Sequence, residues 1–206
     1  MNSPRSQPAG GSQRGHQAAK SKATRDKIIN AVIGIIKESG YAAASSTRIA
    51  KRAGITWGAV QHHFGGKDEI LEQVLDRSHQ TFQARLSDPH FTTGSADTRV
   101  RKYVEAAWQH YQGDEYMASL EILLATRGHG NTDKDLAISR TREEHVSLGR
   151  QIFHDSEAGD QQLQQAIYCV HCMLTGILVE TALEPVSFAT QPYIEHLQSL
   201  LKRILY

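Results

Sequence analysis

Cysteine is scarce in this chain. Only Cys169 and Cys172 occur in 206 residues, too few for a disulfide framework, so a reducing compartment and a fold held by its apolar core are expected. No run of 18 or more uninterrupted apolar residues is present, and no membrane partner is expected. The opening residues lack the apolar region of a secretory signal, which points to a cytoplasmic protein. Alternating β-branched residues bounded by turns are missing, so no sheet is expected. Also missing are HExxH, a repeated Glu-xx-His pair, GxSxG and a phosphate loop. A chain without them is expected not to be an enzyme, and to carry no cofactor and no metal. The Cys169–Cys172 pair has CxxC spacing, but no second pair completes a four-ligand zinc site. It lies in an apolar helical stretch, where free cysteines commonly serve as small buried hydrophobes. Whether it has a redox role stays open.

Charge is present but unevenly placed. The formal net charge is +1. Residues 1–67 hold 11 Lys/Arg and 2 Asp/Glu, a net +9, whereas residues 68–206 hold 12 and 20, a net −8. A basic first third joined to an acidic remainder suggests that the first third meets a polyanion.

Residues 1–20 are rich in Gly, Ser, Gln and Pro and are expected to form a flexible arm. From Thr24 a helical pattern sets in, with Ile28, Val32 and Ile36 four apart and Ile29, Ala31 and Ile35 beside them. Gly40 reads as its stop. Ser45 or Ser46 caps a second helix to about Ala53, Gly54 makes a tight turn, and Thr56 caps a third helix that runs to Phe64 and ends at Gly65-Gly66. A long helix starts at Lys67-Asp68-Glu69, with acids where the helix dipole prefers them. Further breaks fall at 87–89, 92–94, 113–114, 128–131, 157–160 and 184–187. The expected fold is all-α: a three-helix head with a helix-turn-helix over 21–67, and a larger helical-bundle body over 68–206. The last two helices, about 160–184 and 190–205, carry the strongest apolar character.

Within the head, Ile49, Ala50, Ala53 and Ile55 are expected to face inward from the second helix and its turn, and Val60 and Phe64 from the third. Helical geometry then points Gly58, Ala59, Gln61 and His62 outward, with Trp57 and His63 at the flanks. That set suits a major groove. Gly58 and Ala59 allow close approach, Ala59 meets a thymine methyl, and Gln61 pairs with adenine N6 and N7. His62 and His63 reach phosphates or base edges, and Lys67 holds phosphate. Ser46, Thr47, Arg48 and Thr56 complete the candidate DNA contacts. Arg48, Lys51 and Arg52 decorate the second helix, which crosses the backbone in such motifs.

The stretch from Ser45-Ser46-Thr47-Arg48-Ile49-Ala50 through Ala53-Gly54-Ile55-Thr56 and His62-His63-Phe64 to Lys67-Asp68-Glu69-Ile70-Leu71 resembles the head of the tetracycline-repressor (TetR) family. Three positions depart from the family pattern: Gln61 where the family usually has a phosphate-contacting Tyr, Trp57 where it often has Lys, and Ser46 where an apolar residue is common. The resemblance implies a homodimeric, sequence-specific regulator of transcription on double-stranded DNA. Such a protein represses from a palindromic operator until a small-molecule effector releases it. It implies a body that binds this unidentified effector and dimerises. Trp108, Tyr111, Tyr116 and Met117, with Leu120, Phe153, Tyr168, His171 and Met173, are the candidate pocket residues. Leu174, Ile177, Leu178, Leu197 and Leu201 are the candidate interface. Two rivals stand beside this reading: an all-α enzyme, against which the basic head speaks, and a DNA-binding protein that answers to a protein partner.

Overall fold

The computed structural model describes residues 10–127, 143–183 and 188–206, and these are helical with no strand among them. The chain divides into two compact units, Met1–Val74 and Leu75–Tyr206.

The first unit is built on α1 (Gly10–Ser39), α2 (Ser46–Ala53), α3 (Trp57–Phe64) and the opening turns of α4 (Lys67–Leu86), with a short 3-10 turn at Tyr41–Ala43. Ile28, Val32, Ile35 and Ile36 of α1 are fully buried, and Ile49, Ala53 and Val60 meet them from the short helices. Helix α1 stops at Gly40, whose φ of 76° few other residues adopt and whose N–H donates to the Ile36 carbonyl at 2.7 Å.

Two expectations change here. The arm expected over 1–20 is helical from Gly10 onward; residues 1–9 lie outside the described residues. Composition misleads at this point because residues 15–20 are exposed, yet they extend a helix already anchored at Ile28, and extension is far easier than nucleation. The division between units falls after Val74 rather than after Lys67. Ile70, Leu71 and Val74 are fully buried and none belongs to the body's apolar cluster.

The second unit comprises the rest of α4, a 3-10 turn at Pro89–Thr92, α5 (Ala96–Tyr111), α6 (Asp114–Thr126), α7 (143–152), α8 (Asp160–Leu183) and α9 (Gln191–Leu205). Helix α5 packs on α8 and α9, which pack on each other. The Ser95 hydroxyl caps α5 by accepting from the Thr98 N–H at 3.3 Å. The expected breaks at 87–89, 92–94, 113–114 and 157–160 separate these helices, whereas those at 128–131 and 184–187 lie outside the described residues. By length and composition alone α8 suffices to cross a bilayer. Its Leu163, Ile167, Val170, Leu174, Ile177 and Leu178 are instead packed into the body core.

That packing bears on the expected dimer interface. Leu174, Ile177, Leu178, Leu197 and Leu201 are 0–7 % exposed within their own chain, so most of their apolar surface is spent there. Apolar periodicity marks core and interface alike, and here it marked core. The apolar side chains α8 leaves exposed are Tyr168, Val179 and Leu183, and with Cys172 and Gly176 they fall on one helical face.

A polar tie closes the base of this unit. Arg99, only 3 % exposed, donates to the Gly94 carbonyl, to Asp155 and to the Tyr206 hydroxyl. The Tyr206 hydroxyl donates in turn to Asp155 at 2.6 Å. The Ser156 hydroxyl and the Gln162 amide serve the Leu205 and Ile204 carbonyls at 2.7 and 2.8 Å, groups an α-helix leaves unpaired at its end. The hydrogen bond from Tyr206, then that from Arg99, holds the Asp155 carboxyl at about 2, below its ordinary 3.8. A lowered pKa stabilises the fold in full above the ordinary value, and this is lost as pH falls through the folded one. We therefore expect Asp155→Asn to lower the thermal midpoint at neutral pH, the gap to the parent closing as pH falls from 3.8 to about 2. Tyr206→Phe should cost about 1 kcal/mol net, roughly 2–4 °C for a unit of this size. Variants that melt with the parent at neutral pH would show the tie to be idle.

Candidate functional site

Two sites were expected, one in each unit. In the head, the Ser45 hydroxyl caps α2 by accepting from the Arg48 N–H at 3.4 Å, so of the two serines Ser45 takes the cap. Gly54 turns the chain at φ 64°. The Thr56 hydroxyl caps α3 by accepting from the Ala59 N–H at 3.2 Å. These devices fix where α3 begins, and the fully buried Val60 fixes its rotation.

With α3 so placed, Gly58, Gln61 and His62 are exposed, while Trp57, Ala59 and His63 are half-buried. A Cβ on Gly58 would meet nothing of the chain within 4 Å, so that face is open. The His62 and His63 rings meet edge-on at 5.6 Å. On α2, Thr47 and Arg48 are exposed and Ser46 half-buried.

Several of these side chains are already engaged. Arg48 donates to the Ser39 hydroxyl at 2.7 Å, and Arg52 pairs with Glu38 at 2.5 Å. The Arg52 guanidinium lies over Gly34, where an added Cβ would come within 2.5 Å of its terminal nitrogen. The Lys67 ammonium sits 4.8 Å from the Tyr41 ring centroid, a cation–π placement.

Phe64 departs from expectation. It is half-buried, and the Arg25 guanidinium covers its ring at 4.2 Å. Arg25 also donates to the His63 carbonyl and, at 3.2 Å, to the Gln73 side chain. It therefore clamps the C-terminal end of α3 from α1. Ile55, expected inward, is half-buried as well. Sequence reading missed Arg25 and Tyr41, because nothing in local periodicity marks a cation that closes over a ring 39 residues away.

In the body the candidate pocket residues separate. Trp108 and Phe153 are core, Phe153 fully buried and edge-on to Tyr103 at 5.4 Å. Met117, Leu120 and Met173 pack against that core half-buried. Tyr111, Tyr116 and His171 come together. The two tyrosine rings stack at 4.0 Å, Tyr111 hydroxyl pairs with His171 Nδ1 at 2.5 Å, and Tyr116 hydroxyl pairs with Thr175 at 3.0 Å. Tyr168 stands exposed beside His171, ring centroids 5.9 Å apart.

The structure adds a group of histidines that sequence reading missed. His110 stacks on Phe82 at 4.7 Å and stands 5.5 Å from Tyr116. His145 meets Phe82 and His79, each at 5.1 Å, and His79 Nε2 pairs with Glu144 at 2.6 Å. These histidines stand on α4, α5 and α7, so no spacing in the sequence joins them. Burial first, then neighbouring Arg85 and His79, pushes His110 down to about 4. Burial first, then His79, His171 and His110, does the same to His145. Both rings are therefore neutral at pH 7, each with one donor and one acceptor nitrogen. His145 Nε2 and His79 Nδ1 are buried and make no hydrogen bond within the described chain. No group of three or more His, Cys, Asp or Glu among the described residues is arranged to hold a metal. Cys169 and Cys172 are free thiols, half-buried and exposed.

A family model described as bacterial regulatory proteins, tetR family, matches residues 28–74. The HTH-type transcriptional regulator CymR of Pseudomonas putida is 27% identical over 151 residues, which cover 69% of this chain and 68% of that protein. NalD, the secondary repressor of the MexAB-OprM multidrug efflux pump in Pseudomonas aeruginosa, aligns with a TM-score of 0.62 at 22% identity over 91% of this chain and 98% of its own. The transcriptional regulator FadR from Bacillus subtilis, solved in complex with stearoyl-CoA, aligns with a TM-score of 0.66 at 15% identity over 87% and 98%. At these identities the two structural likenesses speak for the fold.

The Arg25 clamp sets an expectation for the recognition helix. Replacing a fully buried Phe by Ala costs roughly 3–5 kcal/mol. Phe64→Ala should cost about half of that, since the ring is half-covered and partly by a guanidinium. Arg25→Met should weaken the head by a comparable or smaller amount. Urea unfolding of the full chain, followed by helical signal, measures both. A loss for Phe64→Ala at the top of the buried range would mean that the ring belongs to the core after all.

Proposed function

We infer that this chain is a DNA-binding regulator of transcription of the tetR type, a reading supported by the match of that family's model to residues 28–74 and by the likeness to CymR. From that premise we propose that it represses from a palindromic operator and is released when a small-molecule effector binds its body. The observation that carries this reading is the exposed face of α3. Gly58, Gln61 and His62 are turned outward on a helix whose start, rotation and end are fixed by Thr56, Val60 and Arg25. A rigid short helix with small and amide side chains outward suits a major groove, where Gln61 would pair with adenine.

Reading a palindrome requires two heads, hence two chains. The exposed α8 stripe of Tyr168, Cys172, Gly176, Val179 and Leu183 supports this, since Leu183 is 71 % exposed and no charge interrupts the row. The effector site would be the cluster of Tyr111, Tyr116, His110, His145 and His171, where aromatic faces surround neutral ring nitrogens. An effector that binds better to a form with misplaced heads would draw the population off DNA by that difference in affinity. Operator binding would keep the chain with the chromosome, in the cytoplasm.

The test is selection of duplexes from a random pool by the purified chain, repeated with metabolite mixtures to find what releases them. A palindromic consensus is expected, and a pool that yields none would remove the reading. On the selected operator, Gln61→Ala should cost about 1–3 kcal/mol per half-site and flatten discrimination at one base position. A uniform loss across single-base operator variants would instead put Gln61 on phosphate. For the second chain, Val179→Glu should shift sedimentation from dimer to monomer and weaken operator binding, because two half-sites no longer act together. A variant that stays dimeric would move the interface off this stripe.

A further inference from the structure

Helix α1 is much longer than the head needs. It spans Gly10–Ser39, but between Gly15 and Lys27 no residue is buried. Those turns contribute almost nothing to the head's apolar core. As far as Arg25 the charges are also of one sign. Arg5, Arg14, Lys20, Lys22 and Arg25 precede the first acid of the chain, Asp26.

Four other cations of the head are engaged. Arg25 clamps α3, Arg48 holds Ser39, Arg52 pairs with Glu38, and Lys67 sits on Tyr41. Lys20 and Lys22 are exposed and make no ion pair among the described residues. Position adds to charge. Where α1 leaves the core it touches the surroundings of both ends of α3. Arg25 holds the His63 carbonyl and the Phe64 ring at the C-terminal end. The Lys27 ammonium lies 3.5 Å from where a Cβ would stand on Gly54, in the turn before the N-terminal end. The exposed basic turns thus emerge beside the recognition helix. Lys20 lies eight residues before Ile28, roughly 12 Å along the axis at 1.5 Å per residue, a span of about three to four base pairs at 3.4 Å each.

Resting on the regulator reading above, we propose that this N-terminal extension of α1 is a second DNA contact, a basic ridge whose Lys20 and Lys22 neutralise backbone phosphates flanking the half-site read by α3. Its recognition is of phosphate alone, so it adds affinity and salt dependence without choosing bases. A helix with glycines at 10, 11 and 15 and no core to lean on is only marginally stable in water. An anionic backbone alongside would stabilise it.

The experiment uses the full chain and a duplex selected from the random pool, prepared with flanks of about ten base pairs, one helical turn, or trimmed to the ends of the selected core. Lys20→Glu/Lys22→Glu should bind the flanked duplex at least about tenfold more weakly, with a log–log salt slope shallower by about two per subunit. On the trimmed duplex it should bind within about twofold of the parent, since the phosphates it would meet are gone. Lys20→Arg/Lys22→Arg should match the parent on both. Equal binding by parent and the Glu variant on the flanked duplex would overturn the proposal, as would an equal loss on both duplexes. A parent that selects no duplex would overturn it together with the regulator reading. A parent that selects DNA and ignores its flanks would overturn it alone.

Discussion

An eight-residue helix does not hold together in water, because the few hydrogen bonds it gains do not offset the cost of nucleating it. Helices α2 and α3 are both this short. The head exists because α1 offers them a fully buried ridge of Ile28, Val32, Ile35 and Ile36. Everything the head does at its surface depends on that burial. Val60 sets which face of α3 looks outward. The hydroxyls of Ser45 and Thr56 set where each short helix starts. Arg25 then holds the far end of α3. Three constraints on the eight residues of α3 leave little freedom, and a helix that is to read base edges requires such rigidity.

The head was largely legible in the sequence because its signals are local. A capping hydroxyl, a glycine at a turn and apolar residues four apart each act within one helical turn, and Thr56, Gly54 and Val60 stand where those signals put them. What was not legible acts across the chain. Arg25 closes over Phe64, and Lys67 settles on the Tyr41 ring. The same holds in the body. Periodicity found the apolar residues of α8 and α9 but could not say whether their partner was the same chain or another, and Leu178 and Leu201 proved to be core. The histidines of α4, α5 and α7 share no spacing, so only the packing of helices brings them to Phe82 and Tyr116.

The two units spend polarity differently. The head engages Arg25, Arg48, Arg52 and Lys67 with local partners and keeps a narrow polar face open. The body places tyrosine and histidine rings inside, where burial holds His110 and His145 neutral and a ring nitrogen of His145 makes no hydrogen bond among the described residues. An unsatisfied buried nitrogen costs stability. It is the kind of cost a fold bears where a guest molecule is to supply the missing hydrogen bond.

Gly34 carries a consequence of another kind. It lies under the Arg52 guanidinium, with no room for a methyl group unless that side chain moves away. A methyl there would force the Arg52 guanidinium to shift and strain its pairing with Glu38 without altering any residue on the open face of α3. On the regulator reading proposed above, a side chain at position 34 would act on DNA affinity only through the charge of Arg52, away from the face of α3 that is open.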